Sequence, residues 1–162
     1  MAAPLIFRPI GKGEEEKVCN FVIHVFNEFI APHYSQEGVN EFLKYVQPDA
    51  LLQRLQKNHF TLLAMVQNRM VGMIEIRANN HVSLLFVDRS FQRKGISREL
   101  LRYALEICRK NKPDLREVTV NASPNAVPVY ERLGFRPTRS EQIVHGIHFT
   151  PMILKLSETA GA

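Results

Sequence analysis

The 162 residues suit one domain with a single sizeable core, and 45% hydrophobic beside 23% charged residues excludes disordered and fibrous classes. A net charge of +5 favours an anionic partner, either nucleic acid or a phosphate-bearing cofactor. The longest apolar run, Val82–Val87 broken by Ser83, is far too short to span a bilayer, so no membrane partner is expected.

The opening MAAPLIFRPIGKG lacks the apolar core of a secretory signal, and a cytoplasmic location is expected by default. Ile6–Ile10 reads as a short strand before the Gly11–Gly13 break. Val18, Phe21, Val22, Val25, Phe26, Phe29 and Ile30 then recur at helical spacing, behind Glu14, Glu15 and Glu16, which suit the positive end of a helix dipole. Pro32 closes that helix. A second helical region runs from about Gln36 to Lys57, and Pro48 splits it in two. Cys19 and Cys108 both fall within helical apolar patterns and read as core thiols, not as a disulfide.

The period then changes. Phe60–Val66 and Met70–Arg77 read as strands joined by Gln67–Asn68–Arg69, a hairpin. Asn79–Asn80 signals a second turn, and His81–Val87 is the next strand. From Ile96 to Cys108 the period is helical, and Lys110–Pro113 ends it. Glu117–Asn121 is a strand. Ser123 caps a short helix with Pro124 at its first position and Tyr130 inside, stopped by Gly134. Phe135–Thr138 and His148–Leu156 are the last strands, with Pro151 marking an edge or a bulge. This order predicts a mixed α/β domain of the α+β type.

The stretch FVDRSFQRKGISREL, Phe86–Leu100, joins a strand to a helix through Arg93, Lys94 and Gly95. A helix N-terminus exposes bare N–H groups and a partial positive charge, so anions bind there. Gly95 allows a diphosphate to approach, Ser97 is small, and Arg98 and Arg102 add positive charge. A polar loop before a solvated helix start would show the same residues. The spacing matches neither the G-x-x-x-x-G-K-S/T loop nor G-x-G-x-x-G.

A second segment, NASPNAVPVYERLGF, shifts the balance. Val87 to Ser97 resembles the acetyl-CoA motif of the GNAT superfamily of N-acetyltransferases, whose core reads Q/R-x-x-G-x-G/A. Asn125, Ala126, Tyr130 and Gly134–Phe135 resemble its second motif, N-x-x-A-x-x-x-Y-x-x-x-G-F. The alanine follows Asn125 at a different spacing, and Ser97 stands where glycine or alanine is usual.

The resemblance implies one N-acetyltransferase domain over 1–162. It implies a twisted, mostly antiparallel sheet of roughly six to seven strands with about four helices. Val82–Val87 and Val118–Asn121 are expected to splay into a cleft for acetyl-CoA, the cosubstrate. Leu85, Phe86 and Val87 would offer backbone groups to pantetheine and the acetyl carbonyl. Gln92, Arg93, Lys94, Gly95, Ile96 and Ser97 would cradle the pyrophosphate, and Asn121 and Asn125 would stand on the other wall. The reaction implied is direct attack of a primary amine on the thioester. Tyr130 would protonate the departing thiolate, since a phenol near 10 suits a thiol near 8.5; a core aromatic is the plainer reading of Tyr130.

The base is open between His81, Glu75 and a chain of waters. With a two-residue loop at Asn79–Asn80, Glu75 opposes Leu84 and faces away from His81; a one-residue bulge would bring both to one face. Phe29, His33 and Tyr34 are candidates for the acceptor pocket, or for plain packing of a helix end. The remaining histidines lack metal-ligand spacing, and no metal is expected. The acceptor is a small-molecule amine or a peptide: a carboxylate such as Glu75 would suit a polyamine or an aminoglycoside, and the basic surface would suit an acidic amine. Family members often dimerise, which makes a homodimer an expectation of the resemblance alone. Two other readings are a non-catalytic acyl-CoA sensor with the same fold and a nucleic-acid-binding domain. The basic residues do not interleave with aromatic ones, so nucleic acid is not expected as a partner.

Overall fold

A computed structural model describes residues 3–157; the ends of the expected 1–162 domain lie outside the described residues. In chain order the elements are β1 (Leu5–Pro9), α1 (Glu15–Phe29), α2 (Gln36–Tyr45), α3 (Pro48–Leu55), β2 (His59–Val66), β3 (Arg69–Arg77), β4 (His81–Val87), α4 (Ile96–Asn111), β5 (Glu117–Ala122), α5 (Val127–Arg132), β6 (Arg136–Pro137), β7 (Gln142–Val144) and β8 (Ile147–Lys155). The sheet order is β1-β2-β3-β4-β5-β8-β6, with β7 paired to β8. Every pairing is antiparallel except β4 with β5.

The sheet is covered on both faces. Leu62, Val71, Ile74, Ile76 and Val82 pack under α4, against Leu100, Ala104 and Cys108. Leu63, Met73, Leu84 and Phe86 pack under α1 to α3, against Val22, Phe26 and Leu51. This two-sided burial explains why β3 reads as a continuous apolar run and not as an alternation. Fully buried Phe26 alone accounts for about 2–3 kcal/mol of that packing. Gly72 lets α4 lie close, since a Cβ there would stand 3.1 Å from Ile96 and 3.2 Å from Leu100. Both cysteines are free and buried, and burial lifts each thiol to about 11.

Three local expectations are corrected. The sheet has eight strands, because Gln142–Val144 pairs with the start of β8. A two-residue turn joins them, with φ 51° at His145 and 77° at Gly146, the double positive φ that hairpins of this type need. The helix carrying Tyr130 starts at Val127, not at Pro124. Ser123 does not cap it; its hydroxyl donates to Asn125 Oδ1 at 2.9 Å. Pro151 stands where β8 is paired with β5 alone, just past the last paired residue of β6, so the edge it marks is a local one. Its carbonyl accepts from Thr138 N at 2.9 Å, so its backbone faces the β6 side, where that strand has ended at Pro137. The missing N–H costs the β5 ladder nothing.

Candidate functional site

β4 and β5 pair only at His81↔Thr119 and Val82↔Val120. Beyond Val82 the two strands part and leave a V-shaped gap. A bulge falls at the same place: Ile76 pairs with Val82 and Glu75 with Leu84, so Ser83 is the extra residue. Past the bulge the ladder fixes which backbone groups face the gap. Asp88 N donates to Val71 O at 2.8 Å, so Asp88, Phe86 and Leu84 direct their main-chain groups toward β3. By alternation, Leu85 and Val87 turn theirs toward the gap. Phe86 instead sends its ring to the helical face, 6.0 Å from Phe42. Gln92 Nε2 donates to Val87 O at 3.1 Å and takes up that carbonyl.

The gap opens into a cavity of about 1230 Å³. At one end stands the N-terminus of α4. Arg93 (φ 62°) and Gly95 (φ 81°) both take left-handed backbone to make the turn, and no side chain caps the helix. The N–H groups of Ile96, Ser97 and Arg98 therefore have no partner among the described residues. A Cβ at Gly95 would meet nothing within 4 Å. Gln92, Arg93, Gly95, Ile96 and Ser97 line the cavity. Lys94 does not line it; its ammonium lies 5.3 Å from the Phe91 ring. Arg98 donates to Arg132 O at 3.0 Å and ties α4 to α5. Arg102 bonds Glu99 and Glu106, which offsets its charge.

Across the gap, Asn121 and Asn125 line the wall with Tyr130. Tyr130 is 6% exposed and packs edge-on against Phe135 at 5.3 Å. Among the described residues its hydroxyl has no hydrogen-bond partner. Burial pushes the phenol above its ordinary value of 10, so it keeps its proton at neutral pH.

At the closed end, His81 lines the cavity and is 8% exposed. Its Nδ1 lies 2.7 Å from Thr119 Oγ1. Burial first, then the charges of Arg77 and His59, push the imidazole down to about 4. Glu75 shares this face of the sheet but not the cavity. It is fully buried, bonded to Arg54 Nε at 2.7 Å and Nη2 at 3.0 Å, and 2.7 Å from His59 Nδ1. The unusual carboxylate among apolar neighbours thus has a structural reason. Arg54 lies 3.7 Å from the centre of the Tyr45 ring and donates to the Tyr45 carbonyl. Tyr45 in turn lines the cavity.

Of the acceptor candidates, Phe29 and Tyr34 line the cavity; His33 is exposed and is not brought to it. Sequence reasoning missed Glu41, Arg77 and the β7–β8 hairpin residues His145 and Phe149, which also line it. The hairpin is docked by close backbone contact. A Cβ on Gly38 of α2 would stand 2.2 Å from Gly146 O. Tyr34 Oη donates to His148 O at 3.3 Å beside it. The His145–Gly146 pair between apolar residues was the signal that could have revealed this wall.

Residues 30–156 match the family described as "Acetyltransferase (GNAT) domain". The chain is 24% identical over 144 residues to the uncharacterized N-acetyltransferase YafP of Escherichia coli strain K12, covering 88% of this chain and 89% of that one. A GCN5-related N-acetyltransferase from Rhodopseudomonas palustris superposes with TM-score 0.80 at 18% identity, covering 96% and 98% of the two chains. The PaiA N-acetyltransferase from Thermoplasma acidophilum, solved with coenzyme A, gives TM-score 0.77 at 19% identity, covering 94% and 99%. A spermidine N-acetyltransferase chimera from Vibrio cholerae gives TM-score 0.61 at 18% identity, covering 97% of each chain. With the family match spanning most of the chain and the mostly antiparallel, splayed sheet beneath it, this protein belongs to the GNAT family and is an acetyltransferase.

Proposed function

We propose that the protein transfers the acetyl group of acetyl-CoA to a primary amine by direct attack on the thioester. Acetyl-CoA supplies an activated carbonyl; the chain supplies position, a proton donor and a proton acceptor. The observation that carries this reading is the unpartnered Tyr130 hydroxyl. It stands on one wall of a gap whose other wall offers the Leu85 and Val87 backbone, with bare N–H groups of α4 at the far end.

The α4 N–H groups, Gly95 and Arg93 hold the pyrophosphate, favoured by the positive end of the helix dipole. The exposed edge of β4 at Leu85 and Val87 binds the pantetheine amides as a neighbouring strand would. The Val87 N–H, turned into the gap, stabilises negative charge on the acetyl oxygen as the amine nitrogen attacks. When the carbon–sulfur bond breaks, Tyr130 gives its proton to the departing sulfur. The proton lost by the attacking nitrogen passes to His81, neutral at pH 7, directly or through water. Glu75 is not assigned as base, because it is sealed between Arg54 and His59.

The test is a panel of amines with acetyl-CoA, following free thiol and acetylated product together. Thiol release that depends on the amine, with equal product, is the expected result. Thiol release equal with and without every amine would reject transfer to an amine.

A further inference from the structure

A second ammonium on the acceptor, as in a polyamine, needs an unpaired carboxylate in the wall. Glu75 is buried with two partners. Asp88 bonds Arg69 at 3.0 Å, and Glu28 lies 3.0 Å from His24; neither lines the cavity. Among the described lining residues, Glu41 is the single carboxylate, and it is already bonded to Lys44 at 3.2 Å. The opposite holds for cations. Arg77 lines the cavity, is solvent-exposed, and has neither an ion pair nor a side-chain hydrogen bond among the described residues. It pairs with His81 across β3 and β4, beside the point where β4 and β5 part.

Aromatic rings line the same cavity: Phe29, Tyr34, Phe42, Tyr45 and Phe149, with Tyr45 close enough to Arg77 to feel its charge. We propose that the acceptor is an amine bearing a carboxylate and an apolar or aromatic side chain, an amino acid or its near relative, with Arg77 holding the carboxylate. This rests on the acetyl-transfer reading above. A guanidinium presents two parallel donors that match the two oxygens of a carboxylate. The aromatic walls take the side chain, and the amine is left to face the gap. A diamine would bring a second positive charge toward Arg77 with no free carboxylate to receive it.

The experiment compares phenylalanine, phenylalaninamide, 2-phenylethylamine and spermidine as acceptors for the full chain with acetyl-CoA, following free thiol. Phenylalanine is expected to exceed its amide in kcat/KM by about tenfold to a hundredfold, the worth of one charged hydrogen-bonded contact. Arg77→Gln is expected to remove that preference and leave the KM for acetyl-CoA unchanged; Arg77→Lys should keep part of it. Preference for the amide or for spermidine, or a preference that survives in Arg77→Gln, would overturn the proposal and leave acetyl transfer standing. If no acceptor releases thiol while calorimetry shows acetyl-CoA bound, the transfer reading falls and this one falls with it.

Discussion

His81 Nδ1 lies 2.7 Å from Thr119 Oγ1, across the rung that closes the gap between β4 and β5. The bond fixes the ring and leaves Nε2 as the nitrogen free to meet the cavity. Burial, Arg77 and His59 hold this imidazole at about 4, against an ordinary 6.5. The unfolded chain therefore takes up this proton first as pH falls. The stability tied to a neutral His81 is full above about pH 6.5, declines toward pH 4, and is flat below. Allowing for residual solvent, the loss is on the order of 2 kcal/mol. Denaturant unfolding at pH 7 and pH 4.5 should show it, and His81→Gln should flatten the slope. The same variant should lose about 10²-fold or more in kcat if His81 accepts the proton.

Tyr130→Phe separates catalysis from structure. The hydroxyl has no partner among the described residues, so its removal should leave stability unchanged or slightly raised. The kcat should fall by about 10² to 10⁴, while calorimetric affinity for coenzyme A holds. Because burial raises the phenol, the wild-type rate should show no alkaline loss from this group below pH 10. Unchanged turnover in the phenylalanine variant would remove Tyr130 from its role.

The parts of the site written in local sequence were legible. Gly95 and the residues around it follow one strand and open one helix, so the strand–turn–helix seam could be read locally, while its reading as an anion site needed the second segment around Asn125 and Tyr130. The β3–β4 register was left open between two arrangements. The structure takes a three-residue loop, Arg77 pairing with His81, together with a bulge at Ser83. That combination puts Glu75 on the same face as His81, yet Arg54 and His59, from elements earlier in the chain, close over it. No pattern near Glu75 announces those partners. The β7–β8 hairpin was missed because Gln142–Val144 is short and mostly exposed, with little alternation to read.

Glu75→Gln tests the structural reading of that carboxylate. It would leave Arg54 buried without its bidentate partner, and breaking such a pair costs about 3–5 kcal/mol. Tyr45, stacked on Arg54, should loosen with it. The expected outcome is a lower melting temperature and a raised KM for the acceptor, with the shape of the pH–rate profile unchanged. A profile that loses its acid limb in the variant would restore Glu75 as a candidate base.

Gly95→Ala should weaken coenzyme binding more than folding. A residue with a Cβ pays about 1–2 kcal/mol at φ 81°. The added methyl clashes with no protein atom, since nothing lies within 4 Å, but Gly95 lines the cavity beside the bare N–H groups of α4, so the methyl takes space from whatever binds there. We expect a rise of about tenfold or more in the Kd for coenzyme A with a small loss of stability, read by calorimetry and thermal unfolding. An unchanged Kd would place the pyrophosphate elsewhere.

Gly38→Ala sets two effects of opposite sign against each other. Gly38 lies inside α2, where alanine is favoured by about 1 kcal/mol. Its new Cβ, however, would stand 2.2 Å from Gly146 O and 2.8 Å from Gly146 C, which are backbone atoms and cannot swing aside. Overpacking of this kind costs about 1–3 kcal/mol, so the clash wins and the β7–β8 hairpin must move off α2. Tyr34, bonded to His148 O on that hairpin, moves with it. Because the contact borders the acceptor end and not α4, the KM for the acceptor should rise severalfold while that for acetyl-CoA holds. Equal rises in both would mean that the hairpin shapes the whole gap and not one end of it.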